Sequence, residues 1–265
     1  MNVRGATAPA CFCAFFSPLI EPRSVNMDTF RGFPPRAMTF LRGLKKNNRK
    51  EWFEAHREDY DDALRTPMKL LIDDVDVRLA TFIPEIIGSA KKSMFRIHRD
   101  VRFSKDKSPY KTNAACWFFH RDSGGGVGGE AAHGGAGFYF HMAPGEIFCG
   151  GGIWMPPRPA LAKIRESLAD DYEGFNDIVL DKAFKRRFGA LDPEAKLTRM
   201  PRGFDPDHPA GDWLRYQSFT AGTAVLLTDI QSAKLPDVLA KHYKAMTPFI
   251  RWLNTALGLR PSSGR

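Results

Sequence analysis

Phe138 to Met155 reads FYFHMAPGEIFCGGGIWM. Two runs of aromatic, β-branched and small apolar residues, Phe138 to Met142 and Glu146 to Met155, flank the dipeptide Pro144-Gly145. Proline presets one turn dihedral and glycine supplies the opposite sign of φ, so the stretch predicts a β-hairpin. Upstream, Ala115 to His120 is a third run of the same kind. Further upstream, Phe95, Ile97, Val101 and Phe103 alternate with Arg96, His98, Asp100 and Arg102, the period-two pattern of a strand with one buried and one polar face; only Arg99 breaks it. Arg215 to Leu227 returns to strand character after the hairpin. Gly150-Gly151-Gly152 lies inside the hairpin's second strand, where glycine marks a bulge or close approach by another backbone or a ligand.

Helical periods surround this core of strands. Ala37, Phe40, Leu41 and Leu44 recur at helical spacing after Pro35, and Asn47-Asn48 stops them. Phe53, His56, Tyr60 and Leu64 form the stripe of a second helix, which makes His56 a packed histidine rather than a ligand. Thr66-Pro67 reads as cap and first-turn proline of a third, carrying Met68, Leu71, Ile72, Val75 and Leu79 and ended by Pro84. Leu161, Ile164 and Leu168 predict a helix after Pro159, and Asp181 to Phe188 a shorter one. Leu235 to Leu257 reads as a helix pair kinked or split at Pro248. The fold class is therefore α+β: a central, mostly antiparallel sheet with helices from the N-terminal third and the C-terminal end packed on it.

One domain is expected over residues 27–258. Residues 1–26 are expected to be a disordered or mis-assigned extension, because the apolar run Cys11 to Ile20 is interrupted by prolines, lacks a cleavage site, and is followed by Met27, where the patterned chain begins. Residues 259–265 are expected to be a disordered tail. Asp122 to Gly137 holds eight glycines in sixteen residues; without a phosphate-loop or dinucleotide glycine pattern it reads as a long hairpin tip.

The composition excludes several classes. With 265 residues and 43% hydrophobic content the chain is globular rather than fibrous, and no apolar run reaches the roughly 18 to 20 residues of a membrane span. The cysteines, Cys11, Cys13, Cys116 and Cys149, lack zinc or redox spacing, and Cys116 and Cys149 read as small buried hydrophobes of a reducing, cytoplasmic compartment. No metal or nucleotide motif occurs, so no cofactor is assigned. A Gly-x-Ser-x-Gly elbow and a His-Glu-x-x-His pair are both missing.

Charge is the informative feature. Between Lys91 and Lys111 eight cations face two carboxylates, so six of the nine net positive charges sit in this window. Arg96 and Arg102, on the same strand face, offer planar forks to phosphate or carboxylate, Arg99 joins them as a ligand-binding candidate, and Lys105, Lys107 and Lys111 add point charges. Tyr110, with Ser104, Ser108 and Thr112, adds hydroxyls. His98, Asp100 and Asp106 are acid/base candidates, and Tyr139 and His141 share one face of a later strand. The same residues also fit a structural ion-pair network in which Asp100 and Asp106 hold the arginines while Phe103 and Tyr110 join the core.

RDVRFSKDKSPYKT at Arg99 to Thr112, with Glu51-Trp52-Phe53, GFYFHMAPGEIFCGGGIWMP at Gly137 to Pro156 and PRGFDPDHP at Pro201 to Pro209, resembles the conserved-hypothetical family known as domain of unknown function 2461. The resemblance runs from about Phe30 to Gly258 and implies one compact domain of a bacterial, cytoplasmic protein, without catalytic residues to carry over. It does not extend to the glycine-rich loop or the first 26 residues. Three functional classes remain: binding of a small anionic ligand at Arg96 to Lys111, with or without chemistry; nucleic-acid binding by the basic stretch and its interleaved aromatics; and a non-catalytic interaction or scaffold domain. Trp154 and Met155 are expected in the core, the alternative being an exposed patch. Oligomeric state is not readable.

Overall fold

The computed structural model describes residues 1, 29–102, 105–124 and 134–262. The expectation for residues 1–26 and most of the glycine-rich loop therefore falls outside the described residues. The chain runs through α1 (Pro35–Lys46), α2 (Lys50–Ala55), α3 (Arg57–Tyr60), a π-helical turn (Asp61–Arg65) and α4 (Thr66–Leu79), then β1 (Ile86–Ile87), β2 (Ala114–His120), β3 (Gly137–Ala143) and β4 (Glu146–Ile153). It continues through α5 (Arg158–Asp170), α6 (Tyr172–Val179), α7 (Lys182–Phe188), α8 (Gly211–Leu214), β5 (Phe219–Ala224), α9 (Leu227–Ile230) and α10 (Leu235–Ala256). The five strands among the described residues form one antiparallel sheet in the order β1-β2-β3-β4-β5, which makes the protein α+β.

The hairpin is β3–β4. Ala143 pairs with Glu146 across Pro144-Gly145, and Gly145 takes φ +94°, the conformation a type II turn requires after its proline. Alternation then sorts the side chains. Cys116, Phe118, Phe138, Phe140 and Met142 turn to one face and are buried. There α10 lies across the sheet, with the Tyr243 ring stacked on Phe138 at 4.4 Å, and Phe33, from the entry to α1, stacks on Phe140 at 6.4 Å. One contiguous core runs from Phe30 through the α4 residues and the sheet to Leu253. The helices of the N-terminal third and the C-terminal helix thus cover the same face. Trp117, Tyr139, His141 and Phe148 turn to the other.

Several sequence expectations are corrected. Helix α4 does begin at Thr66 with Pro67 in its first turn, but Thr66 is not its cap: the preceding Arg65 is already helical, and neither residue caps through its side chain. Pro67 lacks an N–H and crowds the carbonyl four residues back, and the wider π-helical turn just before it accommodates that defect. Pro248 does not split the last helix either. Leu235–Ala256 is a single helix in which Pro248 and Lys244, whose carbonyl the proline frees, are both exposed, so water can take the missing hydrogen bond. The strand expected over Phe95 to Phe103 is not continuous. Among the described residues of this stretch only isolated bridges occur, Met94 to Cys116 and His98 to Tyr110.

Trp154 and Met155 are not core residues; they are 58% and 45% exposed. His56 is half-buried, its ring stacked on Trp52 at 4.0 Å and its Nδ1 2.7 Å from the Trp52 carbonyl oxygen. Helix α6 had no counterpart in the sequence reading, because Gly174 sits in its first turn; Asp171 compensates by accepting a hydrogen bond from the Gly174 N–H. At the far end, Leu259 to Ser262 are not without contacts. The Leu259 N–H donates to the Asn254 carbonyl, His120 Nε2 lies 3.1 Å from the Arg260 carbonyl, and the Ser262 N–H donates to Glu85.

Candidate functional site

The basic stretch is an irregular hairpin. Its stem is held where the Arg99 N–H donates to the Pro109 carbonyl at 2.9 Å and the Lys111 N–H to the Ile97 carbonyl at 2.7 Å, with Ile97 and Tyr110 buried. Asn48 locks the stem from the α1–α2 turn. Its side-chain amide donates to the Tyr110 carbonyl at 2.9 Å and its side-chain oxygen accepts from the Tyr110 N–H at 3.1 Å, imitating a neighbouring strand. Replacing Asn48 by Ala strands both backbone groups, so we expect a loss of about 1–3 kcal/mol in urea unfolding at unchanged m-value.

The tip of this hairpin carries most of the sequence-derived site. Arg99 pairs with Asp106, and Arg102 pairs with Asp100 at 2.7 Å; both side chains of the latter pair are more than half exposed. The Arg102 hydrogen bonds hold the Asp100 carboxyl down to about 2, and the hydrogen bonds from Ser108, with Arg99 nearby, lower that of Asp106. Lys107 donates to the Val101 carbonyl, and Lys105 is exposed. His98 is exposed beside Tyr110, with ring centroids 5.1 Å apart, and Tyr110 is stacked on Phe53 at 4.3 Å, so its ring is a core element. Arg102 and Arg96 do not share a strand face, because the strand stops before Arg102 is reached.

Of the cations in this stretch, Arg99 and Arg102 are the ones paired with a carboxylate among the described residues. Among the described residues neither Arg96 nor Lys111 has a carboxylate within ion-pair distance. Lys111 is half-buried with its Nζ 5.1 Å from the centroid of the Phe95 ring; burial, with Arg96 and Arg99 close by, lowers its pKa from the ordinary 10.5. A desolvated cation beside other cations is a group to which an anion would be welcome.

Phe95 is also a wall of an apolar hollow on the sheet face that no helix covers among the described residues. This cleft of about 500 Å³ is bounded by Phe95, Trp117, Tyr139, Phe148 and Trp154, with Asp192 and Glu194 on its rim. Its floor is low because the strands carry glycine there. Gly150 and Gly151 line it, and an added Cβ at Gly150 would strike the Ala221 carbonyl; beside them Gly152 has φ +127° and accepts only glycine. Just beyond β4, Met155 takes the left-handed φ of 44° and its N–H donates to the Ser218 hydroxyl at 2.9 Å. A non-glycine residue in that region costs free energy, and here the sharp turn it makes follows directly on Trp154, the exposed wall of the cleft.

Polar chemistry reaches the cleft through Tyr139. Its hydroxyl lies 3.1 Å from His141 Nδ1, which Asn113 Nδ2 also approaches at 3.4 Å. A ring nitrogen facing two donors acts as acceptor, which assigns the imidazole proton to Nε2. Nε2 is buried without a hydrogen-bond partner among the described residues, 3.8 Å from the Glu146 carboxylate. Burial lowers the His141 pKa, opposed by Glu146, and burial raises that of Tyr139, so both are neutral near pH 7. The Tyr139 oxygen keeps lone pairs for a donor on a bound molecule. No group of three or more His, Cys, Asp or Glu side chains able to hold a metal ion occurs among the described residues.

The family model for the conserved hypothetical protein DUF2461 matches residues 36–252, more than three-quarters of the chain. The chain belongs to that family. No curated protein and no solved structure matches it. The matched span of this DUF2461 chain contains both the basic hairpin and all of the cleft walls. No helix among the described residues is long and apolar enough to cross a membrane. Of the candidates taken from sequence, Arg96 and Lys111 stand beside Phe95, whereas Arg99, Arg102, Asp100 and Asp106 are engaged with one another at the tip. Trp117 and Phe148 escaped the sequence reading of function. Each lies at an alternating strand position that would be ordinary core if a helix covered that face.

Proposed function

We propose that the cleft binds a small molecule combining a flat ring with an anionic group, the ring between the aromatic walls and the anion toward Lys111 and Arg96. The observation that carries this reading is Lys111: half-buried, without a carboxylate partner among the described residues, and set over a cleft wall. Aromatic walls suit ring stacking, and a volume of about 500 Å³ suits a ligand of mononucleotide size. The carboxylates Asp192 and Glu194 on the rim would repel a long polyanion, and the tip arginines Arg99 and Arg102 already have local carboxylates, which favours a small ligand over a tracked nucleic-acid backbone. The Tyr139–His141 pair supplies a hydrogen-bond acceptor, and a route for a proton if chemistry follows binding.

The test is calorimetric titration with adenosine, adenosine monophosphate, phenol and phenyl phosphate at constant ionic strength. In each pair the phosphorylated compound is expected to bind about tenfold more tightly, and Lys111→Ala to abolish that difference while leaving the ring contribution. Equal affinities within each pair, or no heat from any of the four, would contradict the reading.

A further inference from the structure

A second hollow, of about 760 Å³, lies between α7 and α10 with Thr223 of β5 at its base. Three cationic side chains line it, Arg186, Arg187 and Lys241. Arg187 is half-buried; it donates through Nη1 to the Lys241 carbonyl at 3.1 Å, and no carboxylate among the described residues lies within ion-pair distance of it. A guanidinium has five N–H donors, so most of its hydrogen-bonding capacity remains unused there. The neighbouring His242, also half-buried, has its Nδ1 buried with no hydrogen-bond partner among the described residues. Its ring meets Phe188 at 6.4 Å, which fixes the imidazole plane against α7.

Buried polar atoms are almost always partnered, and here two incompletely satisfied groups, a guanidinium and an imidazole nitrogen, share one hollow. We propose that this groove is a binding site for a phosphate monoester, separate from the aromatic cleft. A tetrahedral oxyanion spreads its oxygens widely enough to accept from the Arg187 fork, from Lys241 and from the His242 Nδ1–H together. The opposite wall carries Asp177 and Asp181, and Asp181 is occupied as the cap of α7, accepting from the Ala183 and Phe184 N–H groups. Those carboxylates limit the positive charge to what one phosphate needs and disfavour a polyphosphate or nucleic acid. Burial lowers the His242 pKa, Arg187 and Lys241 lower it further, and Asp229 opposes them, so the imidazole is neutral until an anion arrives.

The full chain is titrated with inorganic phosphate and glycerol 3-phosphate at constant ionic strength while the histidine ring resonances are followed by NMR, the His242 signal being assigned by its loss in His242→Gln. A saturable shift of that signal is expected, with its pKa rising as phosphate binds and with affinity at least tenfold weaker in Arg187→Gln. Lys241→Gln, at an exposed position, provides the same comparison if Arg187→Gln does not fold. The proposal is overturned if the His242 signal does not move saturably, or if the folded variants bind as the parent does. Indole signals from Trp117 and Trp154 report the cleft independently, so failure at one site leaves the other readable.

Discussion

Arg251→Ala is expected to destabilise the protein by about 3–5 kcal/mol, the cost of leaving a buried carboxylate without its cation. Glu85 is 1% exposed, and Arg251 meets it through Nε at 2.7 Å and Nη2 at 3.3 Å while also donating to the Phe82 carbonyl. The pair ties the C-terminal helix α10 to the segment entering β1, 166 residues apart in sequence. Burial pushes the Glu85 carboxyl up, but the Arg251 hydrogen bond and charge, together with the N–H groups of Glu85 and Ser262, outweigh it and leave the pKa below its ordinary 4.5. The sign follows. In the parent, the pair's contribution is fully present above pH 4.5 and is lost as pH falls through the lower folded value. In Arg251→Ala the N–H groups of Glu85 and Ser262 still hold the carboxylate, but burial loses its main opponent, so the folded pKa rises above the parent's and the penalty grows as pH rises from the parent's folded value. Urea unfolding at pH 4 and pH 7 reads both effects: the variant's deficit should be smaller at the acid value. A deficit independent of pH would show that Glu85 does not need its partner.

Tyr243→Ala should cost a comparable 3–5 kcal/mol, by removing a fully buried aromatic from the seam between helix and sheet. Its ring stacks on Phe138 at 4.4 Å and stands 5.9 Å from Phe118, and its hydroxyl donates to the Tyr139 carbonyl at 3.1 Å. Phenylalanine at this position keeps the stack and loses only the hydrogen bond, so Tyr243→Phe should cost about 1 kcal/mol. The two variants thus separate packing from polarity. Because the hydroxyl holds the backbone of a residue whose side chain lines the cleft from the opposite face, Tyr243→Phe also asks whether the covered face positions the uncovered one. Thermal and urea unfolding measure the stability terms; equal losses in both variants would assign the effect to the hydroxyl and contradict the packing account.

Periodicity was most informative where one face of an element is buried. The Phe138 to Met155 hairpin was legible because alternation and a Pro-Gly turn agree, and the α4 positions because all five apolar residues on its stripe meet the core. Arg96 to Lys111 misled because Ile97 and Tyr110 bury one side of a short stem while the tip beyond them is solvated, so alternation continued past the end of pairing. At Pro248 the helix runs on past the proline, with its other face buried from Leu235 to Asn254. The cleft was hidden for a different reason. Trp117, Tyr139 and Phe148 come from three strands and Phe95 and Trp154 from flanking segments, and alternation says which face a residue takes without saying that no helix covers it. Arg187 and His242, on different helices, carry no shared sequence pattern at all.

The proposed ligand site of this DUF2461 chain is the aromatic sheet face that no helix covers among the described residues. The five tryptophans make it directly measurable. Trp117 and Trp154 wall the cleft, whereas Trp52 packs on Phe40 and His56, Trp213 donates its indole N–H to Asn176, and Trp252 packs on Phe175. Indole N–H resonances followed during titration with adenosine monophosphate and phenyl phosphate should show saturable shifts of Trp117 and Trp154, each identified by its Trp→Phe variant, while the other three stay in place. Unmoved Trp117 and Trp154 signals at saturating concentrations of both probes, or shifts confined to the other three, would contradict the account.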